Sequence, residues 1–293
     1  FSSVGMPYPR NLTSPTYEYN EATQSWKPKT HYPIGDLKPE RTDSWEVGLD
    51  MKLFKDFNLG LSWYLANTFN QTFDPQISVS SGYTTIYLQT GYVRNTGLEL
   101  SLGYGHTWNN NFRWDSNFTL SHNKNKIKEL VRDYVHPETG ELINKDRLDV
   151  GGLGKARFIL KEGGTLGDLY TQSDLKRDDN GMVDIDPTGI VAIENNLPDI
   201  KLGSVFPKAN LAWSNHFSWK GISLSALFTA RIGGIVYSAT EAAMDQYGVS
   251  ERSALARDNG GVLVNNRTLV DAQNYYTTIG SESGLPQYYT YNA

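Results

Sequence analysis

The chain has 293 residues, of which 39% are hydrophobic and 12% aromatic, and it carries a formal net charge of −5. This mild acidity argues against non-specific nucleic-acid binding, which needs a basic face to displace the counterions of phosphates. The chain has no cysteine, which excludes disulfides, thiolate metal ligands and cysteine nucleophiles.

The sequence contains no candidate for a membrane-spanning helix. The nearest stretch, from Ile222 to Ala239, is interrupted by Arg231 and by two glycines. The mean hydropathy of −0.48 is typical of soluble proteins, but a transmembrane β-barrel has a similar average because every second residue faces a polar lumen. Phe1 begins the chain without the basic region and apolar core of a signal peptide, so we expect the signal of an exported protein to lie upstream.

The predicted elements begin after a long loop. Residues 1–40 are rich in Pro, Tyr, Asn, Ser and Thr without a sustained period, which predicts an extracellular loop once the fold is considered as a whole. From Thr42 to Phe54, apolar residues alternate with small or charged ones, and this period of two predicts a strand with one apolar face. A tight turn at 55–57 leads to a second alternating strand that reaches Phe69.

Further strands follow in two groups. Residues 42–130 contain four strands, the third from Arg94 to Thr107 and the fourth beginning at Phe112. Residues 131–207 form a long irregular region dense in Gly, Asp, Asn and Pro, and residues 208–232 form two more strands around a tight turn. Residues 233–293 are predicted to form another long loop, with a short helix between Ser238 and Asp258.

The connections between these strands alternate strictly between short and long. This pattern is typical of an outer-membrane barrel, which has short periplasmic turns and long extracellular loops. Strands of ten or more residues also suit a tilted membrane crossing, which needs about 9–11 residues. The sequence therefore predicts an all-β fold, a partial transmembrane antiparallel up-and-down β-barrel of about six long strands. Six strands cannot close a pore, so we expect further strands outside this chain.

Aromatic residues flank two of the short turns. Trp108 and Phe112 lie on either side of one turn, and Phe217 and Trp219 lie beside another. Aromatic girdles at membrane interfaces place rings at such strand ends. The alternative is that these rings cover the turns of a soluble protein.

Several short motifs occur in a fixed order from Asp36 to Val264. The segment LKPERT at 37–42 precedes WEVGLD at 45–50, NTGLE spans 95–99 and NKNKI spans 123–127. FPK at 206–208, FSWKG at 217–221, two glycines at 233–234, ARD at 256–258 and GGV at 260–262 follow. Together these motifs resemble the C-terminal half of the barrel of SusC/RagA-like TonB-dependent transporters, which are outer-membrane proteins of Bacteroidetes.

The resemblance implies energised uptake of bulky nutrients across the outer membrane, usually oligosaccharides and sometimes peptides. It also implies a SusD-like surface lipoprotein that captures substrate, and a TonB complex that acts through a plug domain. The plug domain, the TonB box and the final barrel strands have no counterpart in this sequence. Residues 1–293 as a whole are therefore expected to be an incomplete barrel segment in contact with outer-membrane lipid.

Strand alternation places a set of charged side chains on the face opposite the apolar one, where a hydrated lumen would accommodate them. The predicted lumen-facing residues are Glu46, Asp50, Glu99, Arg113, Asp115 and Arg231.

Substrate contacts in this segment are expected from tyrosines of the external loops, whose rings could stack on sugars. The candidates are Tyr83, Tyr87, Tyr92 and Tyr170.

An acidic stretch offers one alternative of a different kind. Asp178, Asn180 and Asp184 have spacing that faintly resembles a calcium loop, but the alternation is imperfect and the distal bidentate Glu is missing. A solvated acidic loop without metal is the preferred interpretation.

No pattern indicates an enzyme or a cofactor site. The five histidines are dispersed without an HExxH pair, and the sequence contains no GxSxG or phosphate-binding loop. Three alternatives to a TonB-dependent transporter stay open on the residues alone: a passive porin-type barrel, a secreted carbohydrate-binding β-sandwich, and a glycan hydrolase. The last would need two facing carboxylates roughly 5–10 Å apart, which the sequence cannot show.

Overall fold

The computed structural model describes residues 39–73, 91–108, 111–135, 140 and 142–293, with short strand segments at 17–20, 25–28, 31–32, 85–86 and 88–89. The chain divides into two compact units. The first comprises Phe1–Val150, Leu160–Leu166 and Phe206–Gly233. The second comprises Gly151–Ile159, Gly167–Val205 and Gly234–Ala293.

The first unit is built on one antiparallel sheet of six long strands, in which each strand pairs with the long strands that precede and follow it in the chain. The predicted strands and their order are therefore confirmed, with bounds shifted by one or two residues at most ends. The strands are Arg41–Leu53 (β1), Phe57–Phe69 (β2), Tyr92–Trp108 (β3), Phe112–Glu129 (β4), Ala209–Trp219 (β5) and Ile222–Ile232 (β6).

The register aligns the apolar positions of all six strands on one face of the sheet. Trp45 is 74% exposed and Phe228 60% exposed, so large apolar side chains cover this face without protein on top of them. A contiguous apolar surface of this extent is suited to lipid or to a partner and not to water. One cross-strand row of the face consists of Leu49, Leu61, Leu100, Leu120, Leu211 and Ala230.

Aromatic rings gather on this face beside the short turns. Trp108 and Phe112 lie 5.5 Å apart between ring centroids, and Trp114 stacks on Phe217 at 5.9 Å. The indole N–H of Trp114 donates a 3.1 Å hydrogen bond to Asn215 Oδ1. The indole N–H of Trp114, near the end of the apolar face, therefore has a hydrogen-bond partner, as a polar group in a low-dielectric environment requires.

The turn between β5 and β6 has the backbone of a two-residue hairpin. Lys220 has φ of 44° and Gly221 has φ of 88°. Positive φ at both central residues matches a type I′ turn, whose twist follows that of the flanking strands. The β1–β2 connection also uses positive φ, at Phe54 and Lys55. Positive φ values at these positions allow β1 and β2, and likewise β5 and β6, to be joined by a tight turn instead of a longer loop.

Shorter strands complete the first unit. Pairs of them lie outside the main sheet, most of them antiparallel and one parallel. They are Tyr17–Asn20 with Ser25–Pro28, His31–Tyr32 with Thr85–Ile86, Thr72–Phe73 with Leu88–Gln89, and Val131–Val135 with Leu142–Lys145.

The second unit combines short strands with three helices among the described residues. It corresponds to regions predicted to be irregular, with one short helix where the structure has two. Most of its strands have only two to five residues, which is too short for a detectable period of two, and this is why the sequence pattern missed them. The helices are Ala239–Gln246 (α1), Glu251–Asp258 (α2) and Ala272–Gly280 (α3), with 3₁₀ turns at Ser281–Ser283 and Pro286–Tyr288.

The strands that contribute to the second unit form one small sheet and three separate pairs. Arg147–Leu153, Ala156–Lys161, Asp168–Thr171 and Ile200–Ser204 belong to one four-stranded sheet. The remaining pairs are Asp174–Leu175 with Ile193–Glu194, Ile235–Tyr237 with Thr290–Asn292, and Val262–Val264 with Thr268–Val270. None of the helices in the described part of the chain is long and apolar enough to cross a membrane.

The second unit has its own apolar core, which brings together distant parts of the chain. Tyr289 is fully buried, and it packs with Leu285, Ile279, Ala242 and Leu175. The other buried members are Val191, Val264 and Val270. A core of this kind shows that the region is a folded unit and not a set of free loops.

A buried carboxylate links the helices of this core. Asp245 is 1% exposed and accepts hydrogen bonds from Ser250, from Arg252 Nε at 2.8 Å and from the Tyr289 hydroxyl at 2.9 Å. The Arg252 guanidinium also lies 4.8 Å from the centroid of the Tyr289 ring. A charge buried this deeply is tolerated because it is paired and hydrogen-bonded.

Burial raises the pKa of the Tyr289 phenol, and the neighbouring Asp245 carboxylate raises it further. For Arg252, burial opposes the charged form, but the hydrogen bond and the charge of Asp245 outweigh it and raise the pKa of the guanidinium. The guanidinium therefore stays charged and the phenol stays protonated throughout the physiological range.

Removing the negative charge from this network tests its role. Asp245→Asn leaves the Arg252 guanidinium without its main counter-charge and should destabilise the second unit by about 2 kcal/mol, below the value for a fully buried pair because Arg252 is partly exposed. Hydrogen exchange of residues 238–293 in the complete protein measures the effect. Asp258→Asn, at an exposed position, is the matched control. Equal protection in the two variants would contradict the role of Asp245.

In the main sheet, one glycine lies under an aromatic ring. Gly97 in β3 is buried and directly opposite Tyr64 in β2. A Cβ atom at position 97 would lie 2.2 Å from Cζ of Tyr64. This contact explains the glycine of the NTGLE motif, because any side chain there would displace the ring.

We predict that Gly97→Ala destabilises the protein by about 1–3 kcal/mol, the usual cost of overpacking a close contact. Gly48→Ala is the matched control, since the nearest atom to a Cβ there is the Ser62 hydroxyl oxygen at 3.2 Å. Urea unfolding of the purified protein, followed by tryptophan fluorescence, distinguishes the two. A Gly97→Ala protein as stable as the control would show that the ring moves aside freely.

Candidate functional site

The second face of the main sheet is polar and carries all the charges predicted to face the lumen. In the register, Glu46 lies opposite Tyr64, Asp50 opposite Gly60, and Glu99 between Ser62 and Ser121. Each of these side chains points away from the apolar rows because successive residues of a strand alternate between faces. All six residues therefore share one face: Glu46, Asp50, Glu99, Arg113, Asp115 and Arg231.

Three of these charges line a concave groove on this face. The groove has a volume of 590 Å³ and is bordered by Asp50, Glu99 and Arg231. Glu99 in β3 and Arg231 in β6 belong to the same cross-strand row, three strands apart, which corresponds to about 14 Å. Between them lie the small polar side chains of Ser121 and Asn210. The groove thus has acidic groups at one side, a basic group at the other and hydroxyls and amides between them.

Two of the three remaining charges, Arg113 and Asp115, pair with each other near the short-turn end of the polar face. Arg113 donates to Asp115 through Nε at 2.7 Å and Nη2 at 2.6 Å. A Cβ at Gly105, the residue opposite Asp115, would lie 2.8 Å from Asp115 Oδ1, so the glycine provides room for the carboxylate. Because the two charges neutralise each other, this pair offers less to a charged substrate than the groove does.

The long-loop end of the polar face is covered by apolar packing, which the sequence did not predict. Val93 and Ile127 are 1% and 0% exposed, and they pack against Leu148 and Leu160. Asn125 joins this contact, since its Nδ2 donates to Asn95 Oδ1 at 2.9 Å and its Oδ1 accepts from Leu166 N at 2.9 Å. Residues 148 and 160–166 are therefore anchored on the inner side of β3 and β4. The NKNKI motif contained a sequence signal for this packing, because its Asn125 and Ile127 lie on the same face of β4.

The predicted tyrosine contacts differ in their outcome. Tyr83 and Tyr87 lie outside the described residues. Tyr92 stacks on Phe69 with centroids 4.8 Å apart, and its hydroxyl donates to Asn67 Oδ1 at 3.0 Å. Its ring and hydroxyl are thus engaged within the sheet, and its use as a stacking surface stays a prediction.

The prediction for Tyr170 is wrong. Tyr170 is 6% exposed, inside the strand Asp168–Thr171. Lys201 Nζ lies 5.9 Å from its ring centroid and is held by Asp168 Oδ2 at 2.5 Å. The ring is part of the packing of the second unit, so it cannot stack on a sugar.

The acidic stretch forms a hairpin and uses its carboxylates to close it. Asp178 Oδ1 accepts from the backbone N–H groups of Asn180 and Met182, both at 2.9 Å. Asp184 pairs with Lys176 at 2.7 Å, which raises the pKa of the lysine. Asp178 Oδ1 and Asp184 Oδ2, which belong to two of the three residues considered for calcium, are therefore engaged by the turn and by an ammonium group. Within the described residues, no group of three His, Asp or Glu side chains could hold a metal ion.

A second hairpin follows directly, and it too is closed by an aspartate that accepts hydrogen bonds from backbone N–H groups of the turn. Asp186 Oδ1 accepts from the N–H and hydroxyl of Thr188 at 2.8 and 2.6 Å and from Ile190 N at 3.0 Å. The Thr188 hydroxyl is the main reason why the pKa of Asp186 lies below its usual value. Both hairpins share the order Asp, two residues, Gly, and this repeat was the signal that sequence reasoning overlooked. Val183, Ile185 and Ile193 from this region pack against the core of the second unit.

Comparisons with known proteins agree with this geometry. A model of the family described as TonB dependent receptor-like, beta-barrel matches residues 6–191. The chain is 28% identical over 142 residues to the TonB-dependent receptor P39 of Formosa agariphila, covering 48% of the chain and 12% of that protein. It is 26% identical over 220 residues to the TonB-dependent receptor P26 of the same organism, covering 69% of the chain and 21% of that protein.

Solved structures show the same fold. The structure of the RagAB peptide transporter superposes with a TM-score of 0.63 at 19% identity, covering 89% of this chain and 29% of that one. The RagAB peptide importer in the closed-closed state gives a TM-score of 0.54 at 20% identity, covering 78% of this chain and 25% of that one.

The chain thus spans about an eighth to a fifth of the length of these two curated relatives. The family match confirms both the resemblance predicted from the motifs and the predicted fold. The chain belongs to the TonB-dependent receptor-like β-barrel family, and its six-stranded sheet is a segment of the wall of an outer-membrane barrel.

Proposed function

We propose that the chain forms part of a TonB-dependent transporter that imports bulky nutrients across the outer membrane. One observation carries the proposal: the sheet has a continuous exposed apolar face on one side and a groove of charged and hydroxyl groups on the other. A wall between lipid and a hydrated lumen requires this division. The groove would then face the lumen, with Asp50, Glu99 and Arg231 along the path of the substrate.

The proposed substrate class is inferred from the motif resemblance, which leaves two candidates. Oligosaccharides are our first candidate, because the SusC/RagA-like motifs are those of glycan importers in most cases. Peptides are the second candidate, and the fold shared with the RagAB peptide transporter favours them. The groove suits either, since it offers hydroxyl and amide groups for sugars and opposite charges for peptide termini.

We infer two partners from the same motifs: a SusD-like surface lipoprotein at the extracellular end, and the TonB complex acting through a plug domain. The regions 1–40, 131–207 and 233–293 would lie on the extracellular side. Short connections at one end of the strands and long ones at the other end support this orientation. Transport of this kind needs no covalent chemistry from the barrel wall, so we propose no enzymatic activity.

The assignment of the two faces predicts opposite effects of an inserted charge. Leu49→Arg places a guanidinium in the middle of the apolar rows and should cost about 2–4 kcal/mol of barrel stability in lipid. Ser62→Arg, on the polar face, should be mild because water solvates the charge. Both are measured as heat-induced loss of the folded barrel in the complete transporter. Similar losses for the two variants would contradict the lipid assignment of the apolar face.

Energised transport predicts dependence on the inner-membrane complex. Cells that express the complete transporter should take up its oligosaccharide, and uptake should fall to the level of a transporter deletion when TonB is removed. Parallel assays with peptide mixtures decide between the two substrate classes. Uptake that continues without TonB would indicate a passive porin-type barrel instead.

A further inference from the structure

The NKNKI motif divides its residues between the two faces of β4. Asn125 and Ile127 point inward, where they anchor residues 148 and 160–166. Lys124 and Lys126 therefore point outward, on the same face as Leu120. Leu120 lies in the apolar rows, and Lys124 lies four residues further toward the long-loop end, about 13 Å along the strand. The outward face thus changes from apolar to basic within one short stretch.

The neighbouring strand β3 makes the same change. Its outward residues run from Leu98 through Thr96 to Arg94, and Arg94 lies directly opposite Lys126 in the register. Arg94 donates through Nε to Asn67 Oδ1 at 2.9 Å and through Nη2 to the Tyr92 hydroxyl. These neutral acceptors hold the guanidinium in place without cancelling its charge. We call Arg94, Lys124 and Lys126 the basic cluster.

No carboxylate neutralises the basic cluster within the described part of the chain. The acidic residues nearest to it in the strands have cations of their own, since Asp43 pairs with Arg41 at 2.5 Å and Glu129 lies 3.9 Å from Arg132. Like charges directly opposite each other on a sheet are destabilising. Three positive groups on adjacent strands therefore gain stability from an external anion, although the whole chain is acidic.

The position of the basic cluster identifies the anion. It lies on the lipid side of the barrel wall, at the end that carries the long extracellular loops, and the apolar rows continue directly below it. A soluble substrate in the lumen would be on the opposite face. Basic side chains beside a membrane surface bind anionic headgroups, and Arg and Lys both bind phosphate oxygens well.

We propose that the basic cluster binds the phosphate groups of an anionic glycolipid of the outer leaflet, with the acyl chains of that lipid lying on the leucine rows of β3 and β4. This site is independent of the transported nutrient, and it rests on the proposed placement of the apolar face in lipid. It would fix the barrel to a layer of tightly bound lipid at the height where the strands leave the membrane.

The test uses the complete transporter purified in mild detergent and titrated with phosphorylated lipid A. Native mass spectrometry counts the bound lipid. The variant K124Q/K126Q should bind the lipid roughly 25-fold more weakly, at about fivefold for each charge removed. The control K52Q/K55Q removes two lysines beside the short β1–β2 turn, at the other end of the strands, and should bind as the unaltered protein does.

Two further arms separate a phosphate-specific lipid site from general attraction between lipid and protein. Dephosphorylated lipid A should bind the unaltered protein as weakly as phosphorylated lipid A binds K124Q/K126Q, and millimolar inorganic phosphate should not displace the lipid. Equal lipid binding by the two double variants, or displacement by inorganic phosphate, would overturn the proposal.

The folding of each variant is checked by the gel mobility of unheated samples, in which a folded barrel migrates differently from an unfolded chain. A double variant that fails to fold is replaced by Lys126→Gln alone, with Lys52→Gln as its control. Nutrient uptake by K124Q/K126Q should match that of the unaltered transporter, so a loss of lipid binding is distinguishable from a failure of the proposed transport function.

Discussion

The structure depends on one constraint: backbone N–H and C=O groups in hydrocarbon must find partners within the protein. In this chain, adjacent long strands meet the requirement by pairing with each other, as in the thirteen paired positions of β1 and β2. Once the backbone is paired in this way, successive side chains must alternate between two faces. Every functional property of the main sheet follows from what the sequence places at odd and even positions.

The two faces differ because they meet different solvents. On one, rows such as Leu49, Leu61 and Leu100 cross the sheet. On the other, Glu99 and Arg231 border a groove. At the long-loop end the side chains still alternate between the two faces, but one face is covered by packed loop residues and the other is basic. There the NKNKI motif attaches loop residues inside and carries positive charge outside.

The second unit is held together by an apolar core and by buried polar groups that have partners. Its core is held by Tyr289 and its neighbours, and the deeply buried Asp245 of its helical part is satisfied by Arg252 and by hydroxyl groups. Two hairpins closed by Asp178 and Asp186 contribute apolar residues to this core. An acidic stretch that looks like a metal loop thus serves to shape turns, because turn amides compete for the same carboxylate oxygens.

The sequence by itself determined the six strands, their faces, the short turns and the family, because a period of two and ordered motifs are local features that survive without contacts. It placed Glu46, Asp50 and Glu99 together on one face. Only the tertiary structure decided the rest. The burial of Tyr170, the core of the second unit and the covering of the inner face near Ile127 arise from residues far apart in the chain. Short strands carry no period, and contacts between distant segments leave no pattern in a single sequence.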